Sequence, residues 1–253
     1  MATNITDIFI KIKPKLKTRP YQEEALQNIC SYESKCLVKM FCGTGKSIVI
    51  TKLIIHEKKE LSVVVFPSLV LINQYSTVYV EKYFKTSKYE RMNISSEKVD
   101  GIKSTTNPAE IKKFLKSTSP KIILVTYQSY QVLLDCLEGQ KIGLVCYDEA
   151  HHVVGIECQK LVFGTPYFEK EVFFTATPKN ENGIIMYDRD DPEKNMCGPV
   201  AYEYNYLQGL NEGFLNAFEV CIDMYTENTN ASVYEAIARA LILRGTSRVL
   251  SFH

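Results

Sequence analysis

The stretch Lys39–Ser47, KMFCGTGKS, restricts this chain more than any other. A short apolar run gives way there to Gly-x-Gly-Lys-Ser. Gly43 and Gly45 can take backbone angles that other residues avoid, and they keep side chains away from an incoming anion. A loop curled this way and followed by a helix aims several N–H groups, and the helix's positive end, at one place. Lys46 then reaches the β- and γ-phosphates of a nucleoside triphosphate, and the Ser47 hydroxyl takes a place on Mg²⁺. The strict eight-residue pattern begins with Gly where this chain has Met40. Alone, the tail could also be an ordinary strand-to-helix turn, so the surrounding chain has to decide.

A length of 253 residues suits one large domain or one and a half medium ones. Hydrophobic residues at 45% and charged residues at 23% describe a globular chain, not a disordered one. With 30 Lys plus Arg against 29 Asp plus Glu, the whole chain offers no electrostatic argument for a polyanionic partner, which would have to bind local patches. No apolar run reaches membrane-spanning length, and MATNITDIFIKIK lacks a basic-then-apolar signal pattern. The expectation is a cytoplasmic or nuclear protein in a reducing compartment, with no membrane partner. The 8 cysteines form no Cys-x-x-Cys pair, and Cys36, Cys42 and Cys146 sit in or beside apolar runs. They read as buried reduced thiols.

Taken in order, IKIKPKLKTR alternates apolar and basic residues around Pro14 and reads as an extended solvated edge, with a phosphate-binding arm as the alternative. RPYQEEALQNICSY opens a helix at Pro20, with Ala25, Leu26 and Ile29 on its apolar face. Gln22 lies at its start, and a glutamine can donate and accept at once, matching the edge of adenine. CLVKM reads as a buried strand, and a helix runs from Lys46 to near Lys58. LSVVVFP is an uninterrupted β-rich run, as in a strand covered on both faces. SLVLINQYSTVYVEKYF has helical spacing. Residues 85–106 read as a loop with one short strand near Asn93–Ser95. A helix follows Pro108, KIILVTY is a strand, and QSYQVLLDCLEG a helix ended by Gly139. IGLVCYDEAHH is a strand running into acids, and EVFFTATP another strand. This alternation predicts an α/β fold with a mostly parallel, doubly wound sheet and helices on both faces. Ligands of such sheets gather at the carboxyl ends of the strands, where each polar segment named here falls.

LVCYDEAH supplies a second pole. Asp148 emerges at the strand tip, where its carboxylate can hold Mg²⁺, and Glu149 aims elsewhere and can polarise the attacking water. Two neighbouring acids downstream of Gly-x-Gly-Lys-Ser, with strand-helix units between, describe a nucleotide-hydrolysing site.

RPYQ at 19–22, GTGKS at 43–47, FPSLVLINQY at 66–75, LVTYQSY at 124–130, DEAH at 148–151 and TATP at 175–178 occur in the order seen in superfamily 2 helicases. The chain resembles the first RecA-like motor domain of that superfamily, of the Asp-Glu-Ala-His type related to restriction, repair and large-DNA-virus helicases. The resemblance implies ATP and Mg²⁺ as cofactors, held by Arg19, Gln22, Cys42, Gly43, Thr44, Gly45, Lys46 and Ser47, with Ser47 and Asp148 on the metal. It implies catalysis by Lys46, Asp148, Glu149 and His151, and coupling between nucleotide and nucleic acid through Thr175, Ala176 and Thr177. Pro67, Ser68, Thr126 and Tyr127 are implied to grip a nucleic-acid backbone, although Pro and Thr end strands in many proteins. Implied partners are single-stranded or duplex nucleic acid, DNA favoured over RNA, together with a second motor domain and a nuclease or replication protein. A viral protein acting in host cytoplasm fits the same resemblance. Met40, and Thr175 where many relatives have Ser, depart from the pattern without removing needed chemistry.

Beyond Pro178 the pattern loosens, and NENGIIMYDRDDPEKNMCGP reads as a surface excursion. The expected organisation is an ATP-binding domain over 1–198, a linker over 199–226, and the truncated beginning of a second motor domain over 227–253. A fragment of that kind is expected to bind ATP and hydrolyse it feebly, because the arginine finger of such motors belongs to the second domain. The leading function is an ATP-driven helicase or translocase. The alternatives are a duplex translocase of a restriction or defence complex, and a non-motor ATP switch that recruits a partner.

Overall fold

A computed structural model describes residues 17–84, 88–164, 167–218 and Glu235. Met1–Leu215 make one compact unit and Asn216–His253 a second. The start of a second motor domain expected over 227–253 lies, except for Glu235, outside the described residues.

The first unit carries one eight-stranded sheet in the order β10-β1-β7-β6-β2-β5-β3-β4. Its central strands are β1 (Lys35–Met40), β2 (Leu61–Phe66), β5 (Lys121–Thr126), β6 (Leu144–Tyr147) and β7 (Glu171–Thr175). Every pairing in the sheet is parallel. The β-branched runs fill these strands because both faces are covered. Alternate residues divide between two cores. Val64, Ile122, Cys146 and Phe174 pack with helices α1 (Pro20–Cys30), α2 (Lys46–Glu57) and α3 (Leu69–Tyr75). Val63, Ile123, Val145 and Phe173 pack with α4 (Pro108–Leu115), α5 (Tyr130–Cys136) and α6 (Ile156–Phe163). Helices therefore cover both faces, as expected of a doubly wound α/β domain.

Four segments differ from the sequence expectation. After α3 the chain widens into a π-type helix, Ser76–Phe84, whose Ser76, Val80 and Phe84 are buried, so every fourth residue faces the sheet. The 85–106 stretch contributes two strands at one side of the sheet, β3 (Glu90–Ile94) and the short edge strand β4 (Lys103–Ser104). A small hairpin, β8 (Asn180–Glu181) with β9 (Ile184–Ile185), stands apart from the main sheet. Val200–Tyr204, read as linker, forms β10, which pairs with β1 and leads to α7 (Tyr206–Asn211). The open edge of β1 gives VAYEY a backbone ladder to complete, which an isolated linker would leave to water.

Cys30, Cys36, Cys42, Cys136, Cys146, Cys158 and Cys197 are free thiols. Cys36 and Cys146 are buried, but Cys42 is exposed because the chain has already left the strand for the phosphate loop. Among the described residues no helix is long and apolar enough to cross a membrane.

Phe173 is fully buried and stacks on Tyr147 at 4.7 Å and on Phe163 at 6.1 Å. Phe173→Ala should lower unfolding free energy by about 3–5 kcal/mol, because transfer and cavity costs add. Urea unfolding of both proteins measures the difference.

Candidate active site

Because the sheet is parallel, the ends of β1, β2, β5, β6 and β7 open on one edge. β1 ends in the glycine loop, whose Gly43 and Gly45 have φ of 78° and 85°. Gly45 is also the N-cap of α2. The φ of Gly45 favours glycine, and a Cβ there would stand 2.5 Å from Gln22 Nε2, so any side chain would displace the end of Gln22. Thr44 is buried and donates its hydroxyl to Phe41 O at 2.5 Å. Its own carbonyl accepts from Tyr21 Oη and from Gln22 Nε2, both at 2.8 Å. Gln22 Oε1 accepts from Arg19 N at 2.9 Å. Helix α1 thus fastens the loop through two side chains. Beside it opens a cavity of about 410 Å³, lined by Arg19, Gln22, Gly43, Gly45, Ile48 and Tyr79 among others. Neither Tyr21 nor Tyr79 is singled out by sequence reading. Tyr21 has only its place beside Gln22 as a signal, and Tyr79 belongs to a helix whose winding the periodicity does not disclose.

β6 delivers the acids. The Asp148 carboxyl is buried, and its Oδ1 has no hydrogen-bond partner. Burial raises its pKa from 3.8 to about 6, with Lys46 pulling the other way and Glu149 adding to the rise. Lys46 Nζ meets Glu149 Oε1 at 3.0 Å. Glu149 Oε2 lies 3.6 Å from His151 Nδ1, which lies 3.2 Å from Thr175 Oγ1. That hydroxyl accepts from Thr177 N at 3.1 Å. The chain of contacts therefore runs from the glycine loop through both acids' neighbourhood to the end of β7. Ala176 is half-buried within it and Thr177 exposed. Burial, followed by the charge of exposed His152, lowers the pKa of His151, so its ring is neutral near pH 7. Glu149 has φ 46° and ψ 51°, a left-handed conformation costing a non-glycine residue about 1–3 kcal/mol. It begins the tight turn Ala150–Val154.

An unpartnered buried carboxylate oxygen at the tip of β6, with a hydroxyl residue, Ser47, in the first turn of α2, is a donor set that fits a hard divalent cation. The loop N–H groups and Lys46 fit a polyphosphate.

The four residues considered for a nucleic-acid groove divide differently. Pro67 and Ser68 are partly exposed, and Ser68 Oγ caps α3 by accepting from Leu71 N at 3.4 Å. Thr126 and Tyr127 turn their side chains inward. Thr126 Oγ1 accepts from Ser129 N at 3.2 Å, and Tyr127 Oη donates to Asp148 O at 3.0 Å. Both residues are buried, and both side chains are used inside the protein.

Residues 15–180 match the family described as type III restriction enzyme, res subunit. The chain belongs to that family. It carries a superfamily 2 helicase motor domain, with the RecA-like α/β fold. It is 26% identical over 217 residues to "Probable helicase A859L" of African swine fever virus, covering 81% of this chain and 24% of that protein. It is 25% identical over 244 residues to the "General transcription and DNA repair factor IIH helicase/translocase subunit XPB" of Schizosaccharomyces pombe, covering 94% of this chain and 29% of that protein. The chain thus spans about a quarter of the length of these relatives. Among solved structures, the type ISP restriction-modification enzyme LlaGI shares the fold with a TM-score of 0.63 and 21% identity, over 78% of this chain and 21% of that one. LlaBIII follows with a TM-score of 0.61 and 20% identity, over 79% and 16%.

A carboxyl held at about 6 in the folded protein, against 3.8, binds its proton more tightly folded than unfolded. Stability from this group is therefore full below about pH 4 and lost as pH rises through about 6, by up to about 3 kcal/mol. Asp148→Asn should match the parent at pH 4 and become the more stable protein above pH 6, in the absence of divalent metal. Thermal unfolding across that range tests this, and a pH-independent difference would contradict it.

Proposed function

We propose that this chain is the ATP-hydrolysing motor domain of a DNA helicase or translocase. The observation that carries the proposal is the meeting of Lys46, Glu149 and the Asp148 carboxylate, one oxygen of which has no hydrogen-bond partner, at one edge of a parallel sheet. In this reading the glycine loop binds the triphosphate, and Lys46 leaves Glu149 for the β- and γ-phosphates. Ser47 and Asp148 hold Mg²⁺, which offsets charge building on the phosphates when bound. Glu149, released from Lys46, orients a water and takes its proton as that water attacks the γ-phosphorus, the bond to the β–γ bridging oxygen breaks, and ADP and phosphate leave. His151, neutral and bridging Glu149 to Thr175, passes the position of the acid to Thr175–Thr177. Gln22 exchanges its bond to the Thr44 carbonyl for the adenine edge in the adjoining cavity. Pro67, Ser68 and the backbone of Thr126 and Tyr127 line the path of a strand.

DNA is preferred over RNA because the matched family is a restriction enzyme subunit and the XPB relative is described as a DNA repair factor subunit. The restriction family also favours a second reading, duplex translocation without strand separation. Residues 1–198 as motor domain, 199–226 as linker and 227–253 as the start of a second motor domain stays the proposed division, with β10 joining the linker's first residues to the motor sheet.

Lys46→Ala should lose ATP binding, whereas Glu149→Gln should bind ATP and slow turnover by about 10²–10⁴-fold. Fluorescent-nucleotide titration and phosphate release measure the two effects. Equal ATP affinity in Lys46→Ala and the parent would defeat the assignment. Stimulation of turnover by duplex but not by single strands would select translocation over unwinding, and no stimulation by either would leave the protein an ATP switch.

A further inference from the structure

At the end of the sheet opposite the nucleotide edge, the carboxyl ends of two helices meet. Cys30 is the last residue of α1, and His56 and Glu57 are the last two of α2. Cys30 Sγ stands 3.4 Å from His56 Nδ1. One donor atom from each of Cys30, His56 and Glu57 falls within 4.8 Å of the other two. Tetrahedral bonds of about 2.0–2.3 Å place neighbouring donors about 3.3–3.8 Å apart, so the sulfur–nitrogen spacing already has the size a zinc ion imposes.

We propose that Cys30, His56 and Glu57 form a three-ligand site for Zn²⁺, with water in the fourth position. A thiolate, an imidazole and a carboxylate together suit zinc better than magnesium or calcium, which prefer all-oxygen shells. Both helices direct their carboxyl-terminal carbonyls to this place, and that end of a helix favours a cation. Buried Lys170, just ahead of β7, holds Glu57 Oε1 at 2.7 Å. A carboxylate can keep that ammonium on one oxygen and give the other to metal, with the lysine acting as the outer contact that orients it. His56 is exposed, while Cys30 and Glu57 are partly buried, so the site has an open side for entry. Zinc uptake turns the Cys30 thiol into a zinc-bound thiolate and releases its proton to solvent. The ion would bind together the far ends of the two helices whose near ends carry Gln22 and Lys46. This assignment stands without the nucleotide reading.

Co²⁺ serves as the probe, added to the chelator-treated protein. The expected result is a single bound cobalt with a thiolate charge-transfer band and the visible bands of tetrahedral geometry, all displaced by Zn²⁺. Cys30→Ser should abolish the charge-transfer band, and His56→Ala should weaken binding about tenfold or more. Cys158→Ser should leave both unchanged. His56→Ala alters an exposed side chain, and circular dichroism verifies that each variant is folded. A parent protein with no thiolate band, or a band of equal affinity in folded Cys30→Ser or His56→Ala, overturns the site.

Discussion

Lys46 and Glu149 meet at 3.0 Å across two segments of distant sequence, and the candidate site depends on that meeting. β1 and β6 are not neighbours; β7 lies between them. Only a parallel register that brings all three strand ends level lets the first residue of α2 touch the residue after Asp148. At an effective dielectric of about 20, such a pair attracts by roughly 5 kcal/mol before desolvation, which offsets much of it. The pair is therefore strong enough to position both groups and weak enough for a polyphosphate to displace. Glu149 is held, besides, in a left-handed backbone conformation that the turn behind it enforces. The acid is thus placed by its main chain and restrained by the lysine, so in the proposed mechanism the departure of Lys46 to phosphate would free the carboxylate without moving its backbone.

The glycine loop is prepared in the same manner. Two donors from α1 converge on the Thr44 carbonyl, and Thr44 closes the turn on Phe41. A loop whose backbone angles are set before the anion arrives loses less entropy on binding. In the proposed mechanism Gln22 is the adjustable member, because Tyr21 would retain the carbonyl when the amide leaves it. Gly45 sits against the same amide so closely that any side chain would push Gln22 out.

Much of this is legible in the sequence, for physical reasons. Uninterrupted apolar runs such as LSVVVF announce strands covered on both faces, and GTGKS and DEAH carry chemistry that tolerates few substitutes. What escapes reading depends on the third dimension. VAYEY has the composition of a strand, but only the vacant edge of β1 makes it one. The π-type winding of Ser76–Phe84 places Tyr79 beside the cavity, whereas helical periodicity gives it no direction. Thr126 and Tyr127 lie on the expected stretch, yet their side chains are spent on Ser129 N and Asp148 O. Cys30, His56 and Glu57 converge only because two helices end at the same depth.

The Tyr127 hydroxyl joins the two faces of the proposed function. It donates to the carbonyl of Asp148, the residue proposed to hold the cation, from the segment proposed to border the strand path. Tyr127 also stacks with Tyr147, which precedes the acids on β6. A nucleic-acid strand pressing on the backbone at Thr126 and Tyr127 would thus act on Asp148 through one buried hydrogen bond and one ring contact. On the opposite flank, His151 and Thr175 connect Glu149 to the exposed Thr177. Each acid of the pair therefore has its own short chain of contacts, and the one from Glu149 ends at the surface. The two routes leave β6 from adjacent residues, so a displacement of either would change the geometry of the proposed metal and water positions together.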